Sequence, residues 1–360
     1  MTRLIQAGVG VLILAGLLFN GSINPHPMRW FLLWCAVLVV AFIRITHDAL
    51  TWWILGFVAY AALSLSWSLD WREGILSLNT LALLAGLFIL LRHSDGWQWT
   101  VPWGAAACIV FSAMQPAETF GGMRNENFQA EFLCLMIPLA CMGKRVIPCL
   151  TAGLAAYILI RLNLSDAKWM GLAGAFAVIL LYVGWKARLM AVAGATAALW
   201  LIWPKVELAV LRRLELAYDT LVMWLDYPVF GVGIGGFNYA YPLYQERHPD
   251  LIDGQTLTEI NIYAGATHNE FVQALAVFGL AGFAMLCVIG WMALRRTQNQ
   301  YAFVAVAVMA GLASVNFPLQ NPSTAILGVI ALALSCGPAA GVSRVAERQV
   351  SHGRAVLRTG

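Results

Sequence analysis

Arg213 and His268 stand about 55 positions apart in a 360-residue chain that has few groups able to do chemistry, since Lys, Arg, Asp and Glu together make up 11% of it. Between Pro204 and Thr267 an otherwise apolar sequence gives way to roughly 60 polar and aromatic residues, with Arg213 inside that break and His268 directly after it. One helical turn from Arg213 lie Ala209, Val210, Leu216 and Ala217, so no carboxylate is locally at hand. A guanidinium so placed suits a diphosphate, which it can grip through two parallel charge-assisted hydrogen bonds. An arginine snorkelling to lipid headgroups would have the same surroundings. His268 precedes Asn269, Glu270 and the apolar run from Phe271, where the chain re-enters hydrophobic sequence. A helix N-terminus disfavours imidazolium, so the ring is expected to be neutral, the state a general base needs. A histidine that merely caps the helix would occupy the same position.

Other residues could assist. Gly231, Gly233 and Gly235 alternate with Val232 and Ile234, which lets backbone come close to a ligand or to a neighbouring helix. A dinucleotide fingerprint is excluded, because no strand–helix–strand context surrounds them. Arg124, Asn127 and Glu131 recur at spacings of three and four, a polar stripe on one helix face. In a bilayer Glu131 must face protein or a water-filled cavity. Arg161, Ser165, Asp166 and Lys168 form a further polar group, as do Asn316, Gln320 and Asn321, while Arg72 reads as the ion-pair partner of Asp70 or Glu73. The seven Cys all fall within or at the ends of apolar runs, which argues against a disulfide framework and for small buried hydrophobes. No Asp-x-Asp occurs, which argues against a metal clamp of that type, and neither a metal nor a cofactor is expected.

The elements that must position these groups are helices. With 61% hydrophobic residues and 15 Trp, the composition lies far from that of soluble domains, in which roughly a quarter of residues are charged. The pattern predicts an all-α polytopic membrane protein with about twelve spans, near 4–20, 29–43, 49–66, 74–91, 97–114, 127–142, 146–162, 169–185, 189–203, 269–293, 301–317 and 323–340. The first is expected to be a retained helix, since it lacks a small-residue cleavage site. Residues 1–340 read as one integral domain and 341–360 as a basic cytoplasmic tail. With the N-terminus inside, 13 of the 22 Lys and Arg fall on the cytoplasmic side and only Asp48, Asp95 and Glu347 of the 18 acidic residues do. The 204–267 loop then faces outward. Within it, Leu208, Leu211, Leu214, Tyr218, Leu221 and Leu225 have the spacing of an amphipathic helix on the membrane surface. Nucleic acid is not an expected partner.

Taken in order, Arg213-Leu-Glu-Leu, Pro228-Val-Phe-Gly231-Val-Gly233-Ile-Gly235-Gly-Phe237 and Thr267-His268-Asn269-Glu-Phe-Val-Gln273 with Gly279 resemble the shared core of the O-antigen ligase and polysaccharide polymerase family. Asn125-Glu-Asn127-Phe-Gln-Ala130 with Pro138-Leu139 is similar to that family's Asn-bearing helix, and Ser66-Trp67-Ser68 to its early Trp-Ser element. The chain departs from the pattern at Ala217, where the family often has Trp, at Val277, where it has an acidic residue, and at Ser165-Asp166, where it has Ser-Arg.

The resemblance implies transfer of a glycan from an undecaprenyl diphosphate carrier to an acceptor hydroxyl at the periplasmic face of a bacterial inner membrane. Arg213 would be the main diphosphate ligand, helped by Arg124, Arg161 or Lys168, with Asn127, Asn269 and the three glycines near the substrate and His268 as base. The implied partners are the carrier-linked donor, a lipid A–core or growing-glycan acceptor and membrane lipids. One large outer loop favours ligation over polymerisation, and the short tail of about 20 residues argues against the family's protein-glycosylating relatives. A twelve-helix secondary transporter is the reading from a different class, but no half-and-half repeat is evident and the suspicious residues gather at one face.

Overall fold

The computed structural model describes residues 48–94, 97–114, 126–142, 146–161, 213–245 and 267–338, together with isolated positions at 169, 172, 176, 178, 180 and 211. Within these the chain is helical, without a strand. The long elements are α1 (Ala49–Ser64), α2 (Trp71–His93), α3 (Val101–Met114), α4 (Glu126–Cys141), α5 (Val146–Arg161), α6 (213–226), α7 (Glu270–Arg295), α8 (Gln300–Val315) and α9 (Pro322–Cys336). Apart from the surface helix α6, each coincides with one of the expected apolar runs. The runs at 4–20, 29–43 and 189–203 and the tail lie outside the described residues, and 169–185 is described at only a few positions. Among the described residues two helices are long and apolar enough to cross a membrane: α2, of 23 residues, and α7, of 26 residues, whose most apolar stretches have mean hydropathy 2.2 and 2.3.

Helix starts are written locally. Asp48, Asp70, Asn269, Asn299 and Asn321 cap α1, α2, α7, α8 and α9, each with a side-chain oxygen accepting from first-turn amides that would otherwise have no partner. This corrects the reading of Arg72. Asp70 Oδ1 accepts from the Arg72 and Glu73 amides at 3.0 and 3.2 Å, while the Arg72 guanidinium lies over the Trp71 ring. α4 is the hub, with every residue from Phe128 to Ala140 buried against α3, α5, α8 and α9. α1 packs on α7 and α2, and α9 on α2. Successive helices alternate in direction. Asp48, Arg92, Arg296 and Gly337 therefore share one end of the bundle, and His268, Asn316 and Asn321 the other.

The glycine segment is wedged into α7. Gly279 has φ 61°, and there the helix breaks. The Ala276 and Val277 carbonyls, deprived of their helical donors, accept from Val232 and Gly233 N–H at 3.0 Å, while Leu280 and Ala281 N–H donate to Pro228 and Val229 at 2.9 and 3.1 Å. Two hydrogen bonds lost by the helix leave four backbone groups open, and the loop satisfies all four. The other side of the loop docks on the α1–α2 connection, where Ser68 Oγ donates to the Ile234 carbonyl at 2.7 Å and Ile234 N–H to Ser64 Oγ at 3.1 Å. Gly231, Gly233 and Gly235 all have φ between 69° and 83°. A Cβ on them would overlap the Val277 carbonyl, the Ser64 carbonyl and the Gly74 backbone respectively. The close approach that alternating glycines allow is made here by the backbone of neighbouring helices.

Helix α6 presents an apolar stripe outward. Leu214, Tyr218, Leu221 and Leu225 are exposed, while Asp219, Thr220 and Met223 are buried towards a small cluster with Val232, Phe237, Tyr241 and Ala276.

Candidate functional site

The site is built on the turn that opens α7. Asn269 is the cap, its Oδ1 accepting from Phe271 and Val272 N–H at 3.1 Å. Thr267 Oγ1 donates to the Asn269 carbonyl at 2.6 Å and accepts from the Asn269 amide at 3.1 Å. Between them His268 is forced to φ 52°, the left-handed region. For a residue with a Cβ that costs about 1–2 kcal/mol. The turn places the imidazole edge-on to Phe317, ring centres 5.0 Å apart, with Phe317 in turn edge-on to Phe128 at 5.9 Å.

His268 Nδ1 lies 3.2 Å from Asn316 Oδ1 at the C-terminus of α8. Asn316 Nδ2 donates to Glu131 Oε1, one turn into α4. Glu131 is completely buried, and its second oxygen has no partner. Two residues after His268, Glu270 Oε1 accepts from Leu319 N–H at 2.7 Å, and its second oxygen is likewise unpartnered. Asn321 caps α9 through Oδ1, leaving Nδ2 without a partner. Three of the five buried side-chain polar atoms without a partner among the described residues thus surround the single turn 316–321. Native interiors rarely leave such atoms orphaned, and a group of them marks a place that water or a ligand completes.

Burial pushes the His268 pKa below its ordinary value, the Arg213 guanidinium pushes it further down, and the Asn316 hydrogen bond opposes both. The ring is therefore neutral near pH 7. The sequence suggested this outcome for a different reason, a helix N-terminus, whereas desolvation and a nearby cation produce it here. The same interaction brings Arg213, at the start of α6, within electrostatic reach of His268. Arg213 is half-buried and has a partner within the protein, which corrects the expectation of an unpaired guanidinium drawn from its local neighbours.

Of the remaining candidates, Asn127 is half-buried one turn before Glu131 on the same helix, and Arg161 is the exposed last residue of α5. Arg124 and Lys168 lie outside the described residues. No family model, curated protein or solved structure matches the chain. Asn316 and Glu270 were visible in the sequence as polar residues near helix ends. Their attachment to His268 and Leu319 was not, because partners 48 and 49 positions apart leave no local pattern.

Proposed function

We propose that this chain is an integral membrane glycosyltransferase of the O-antigen ligase type, moving a glycan from undecaprenyl diphosphate to an acceptor hydroxyl at the periplasmic face of a bacterial inner membrane. About twelve helices would span the bilayer, with both termini cytoplasmic and the His268 end outward. The observation that carries the reading is the convergence of Arg213 and a neutral His268 at one end of the bundle, beside buried polar atoms that await a partner. The membrane setting is supported by α7, whose apolar length is mostly unburied, unlike a soluble core helix, and by the outward apolar stripe of α6.

In this reading the imidazole takes the proton of the acceptor O–H, and the oxygen forms a bond to the anomeric carbon. The bond from that carbon to the diphosphate oxygen breaks with its electron pair, and Arg213 stabilises the charge gathering on the leaving group. Attack and departure on opposite faces invert the anomeric configuration. The test is purified protein given a carrier-linked glycan and candidate acceptors. Transfer with inversion, lost in His268→Ala, is the expected result, and retention of configuration would sink direct displacement. Ligation is preferred to polymerisation. A deletion strain that loses every polymeric lipopolysaccharide band agrees with that preference, whereas a single core-plus-one-unit band would reassign the acceptor to a growing glycan.

A further inference from the structure

A base at His268 needs one ring nitrogen free, and imidazole alone does not say which. Three hydrogen-bonding groups answer the question. The Asn316 side chain has one accepting end and one donating end. Its donating end, Nδ2, faces Glu131 Oε1, which accepts from it. The accepting oxygen must then face His268 Nδ1, as it does at 3.2 Å. An acceptor opposite Nδ1 requires the proton on Nδ1 and leaves Nε2 as the only lone pair of the neutral ring. Phe317 covers one edge of the imidazole and offers no competing polar group.

We propose that Asn316 is a positioning residue: oriented by Glu131, its amide holds His268 in the Nδ1–H tautomer and so assigns the role of base to Nε2. Among the described residues, the charged and titratable groups around the ring are Arg213 from α6, Glu131 from α4 behind the amide, and Glu270 two residues on in α7. None of these replaces the amide at Nδ1. The arrangement resembles in logic the carboxylate that fixes a catalytic histidine from behind, with a neutral amide inserted between the two. Insertion of the amide has a consequence: a carboxylate directly on Nδ1 would favour imidazolium, whereas an amide orients the ring without charging it.

The proposal rests on the transferase reading for its purpose but not for its test. Protein carrying ring-¹⁵N histidine reports the tautomer directly from its nitrogen chemical shifts, with His268→Gln identifying the signal, and no substrate is needed. Nδ1–H is expected in the native chain. In Asn316→Leu the Nε2–H form should become populated, and in Glu131→Gln, whose amide can present either end to Asn316, a mixture should appear. Asn316→Asp keeps an acceptor on Nδ1, so it should preserve the tautomer while moving the ring titration to higher pH. In the transfer assay Asn316→Leu should lose roughly 10- to 100-fold in rate at unchanged donor KM, with Asn316→Asp recovering much of it near the alkaline end of the profile. Nε2–H in the native chain, or a tautomer indifferent to both Asn316→Leu and Glu131→Gln, overturns the proposal. If His268→Ala still transfers glycan, the base assignment falls while the tautomer result stands on its own.

Discussion

The two ends of the helix bundle each bury a carboxylate, and they treat it in opposite ways. At one end Asp48 is 4% exposed and fully engaged: Arg92 and Arg296 pair with its two oxygens, the latter at 2.6 Å, and Thr51 adds its amide and hydroxyl. Arg92 Nε also donates to the Gly337 carbonyl at 3.1 Å, so one cluster ties α1, α2, α7 and the end of α9 together. At the other end Glu131 receives a single neutral donor and keeps an oxygen with none, and Glu270 repeats the pattern. A closed network stabilises and does nothing else. An open one is tolerated where something outside the protein completes it, and strain gathers in the same place, as at His268.

The contrast predicts that substitutions at the two ends separate stability from rate. The largest effect should come from His268→Ala, which removes the base and is expected to lower transfer roughly 10²- to 10⁴-fold. Its thermal unfolding in detergent should shift only slightly, because alanine keeps the left-handed backbone at φ 52° and only the ring's contacts with Asn316 and Phe317 are lost. A large loss of stability with normal transfer would erase the distinction.

Arg92→Ala leaves Asp48 buried with half its compensation and should cost about 3–5 kcal/mol, read from the unfolding midpoint, with the rate per folded molecule unaffected. Glu131→Gln replaces a poorly compensated buried carboxyl with a neutral amide of nearly the same shape, so its midpoint should stay or rise. A fall as deep as that of Arg92→Ala would mean the two carboxylates are equivalent after all. Gly231→Ala tests the wedge: a left-handed alanine costs about 1–2 kcal/mol before the overlap with Val277 is counted, and protease should then cut between residues 228 and 236.

pH sharpens the comparison with smaller effects. His268 must be neutral to accept a proton, so transfer should hold down to pH values below the ordinary histidine value of 6.5 and fall only under its lowered pKa. Arg213→Ala lifts the repulsion and should move that acid limb to higher pH, whereas Arg213→Lys should leave it in place while weakening donor binding. At the opposite end, burial would raise the Asp48 carboxyl, but Arg92 and Arg296 more than offset it and hold it below 3.8. Its contribution to stability should therefore be complete above about pH 3.8 and be lost only as the pH falls through its lowered value. The acid limb of transfer and acid unfolding should be separable on one pH axis.

Much of the architecture was legible residue by residue. The apolar runs near 49–66, 74–91, 269–293, 301–317 and 323–340 predicted helices that the structure contains, because hydrophobic length acts locally, as do the caps at Asp48, Asp70, Asn269, Asn299 and Asn321. Arg213 and His268 were legible as chemical candidates because each is an ionisable group in a chain that has few. Arg72 was misjudged as an ion-pair partner because the competing claim on Asp70, from two backbone amides, does not show in side-chain types. Alternating glycines read equally well as a ligand cradle or as a wedge, and periodicity could not choose between them.

Composition and order along the chain determined that it forms apolar helices, where they start, and which few groups could react. Tertiary structure alone decided that Gly279 breaks α7 to receive the glycine loop, that Arg213 acts on His268, and that Asn316 stands between His268 and Glu131. Those relations join residues from 44 to 185 positions apart, and at such separations only the packing of helices settles who meets whom.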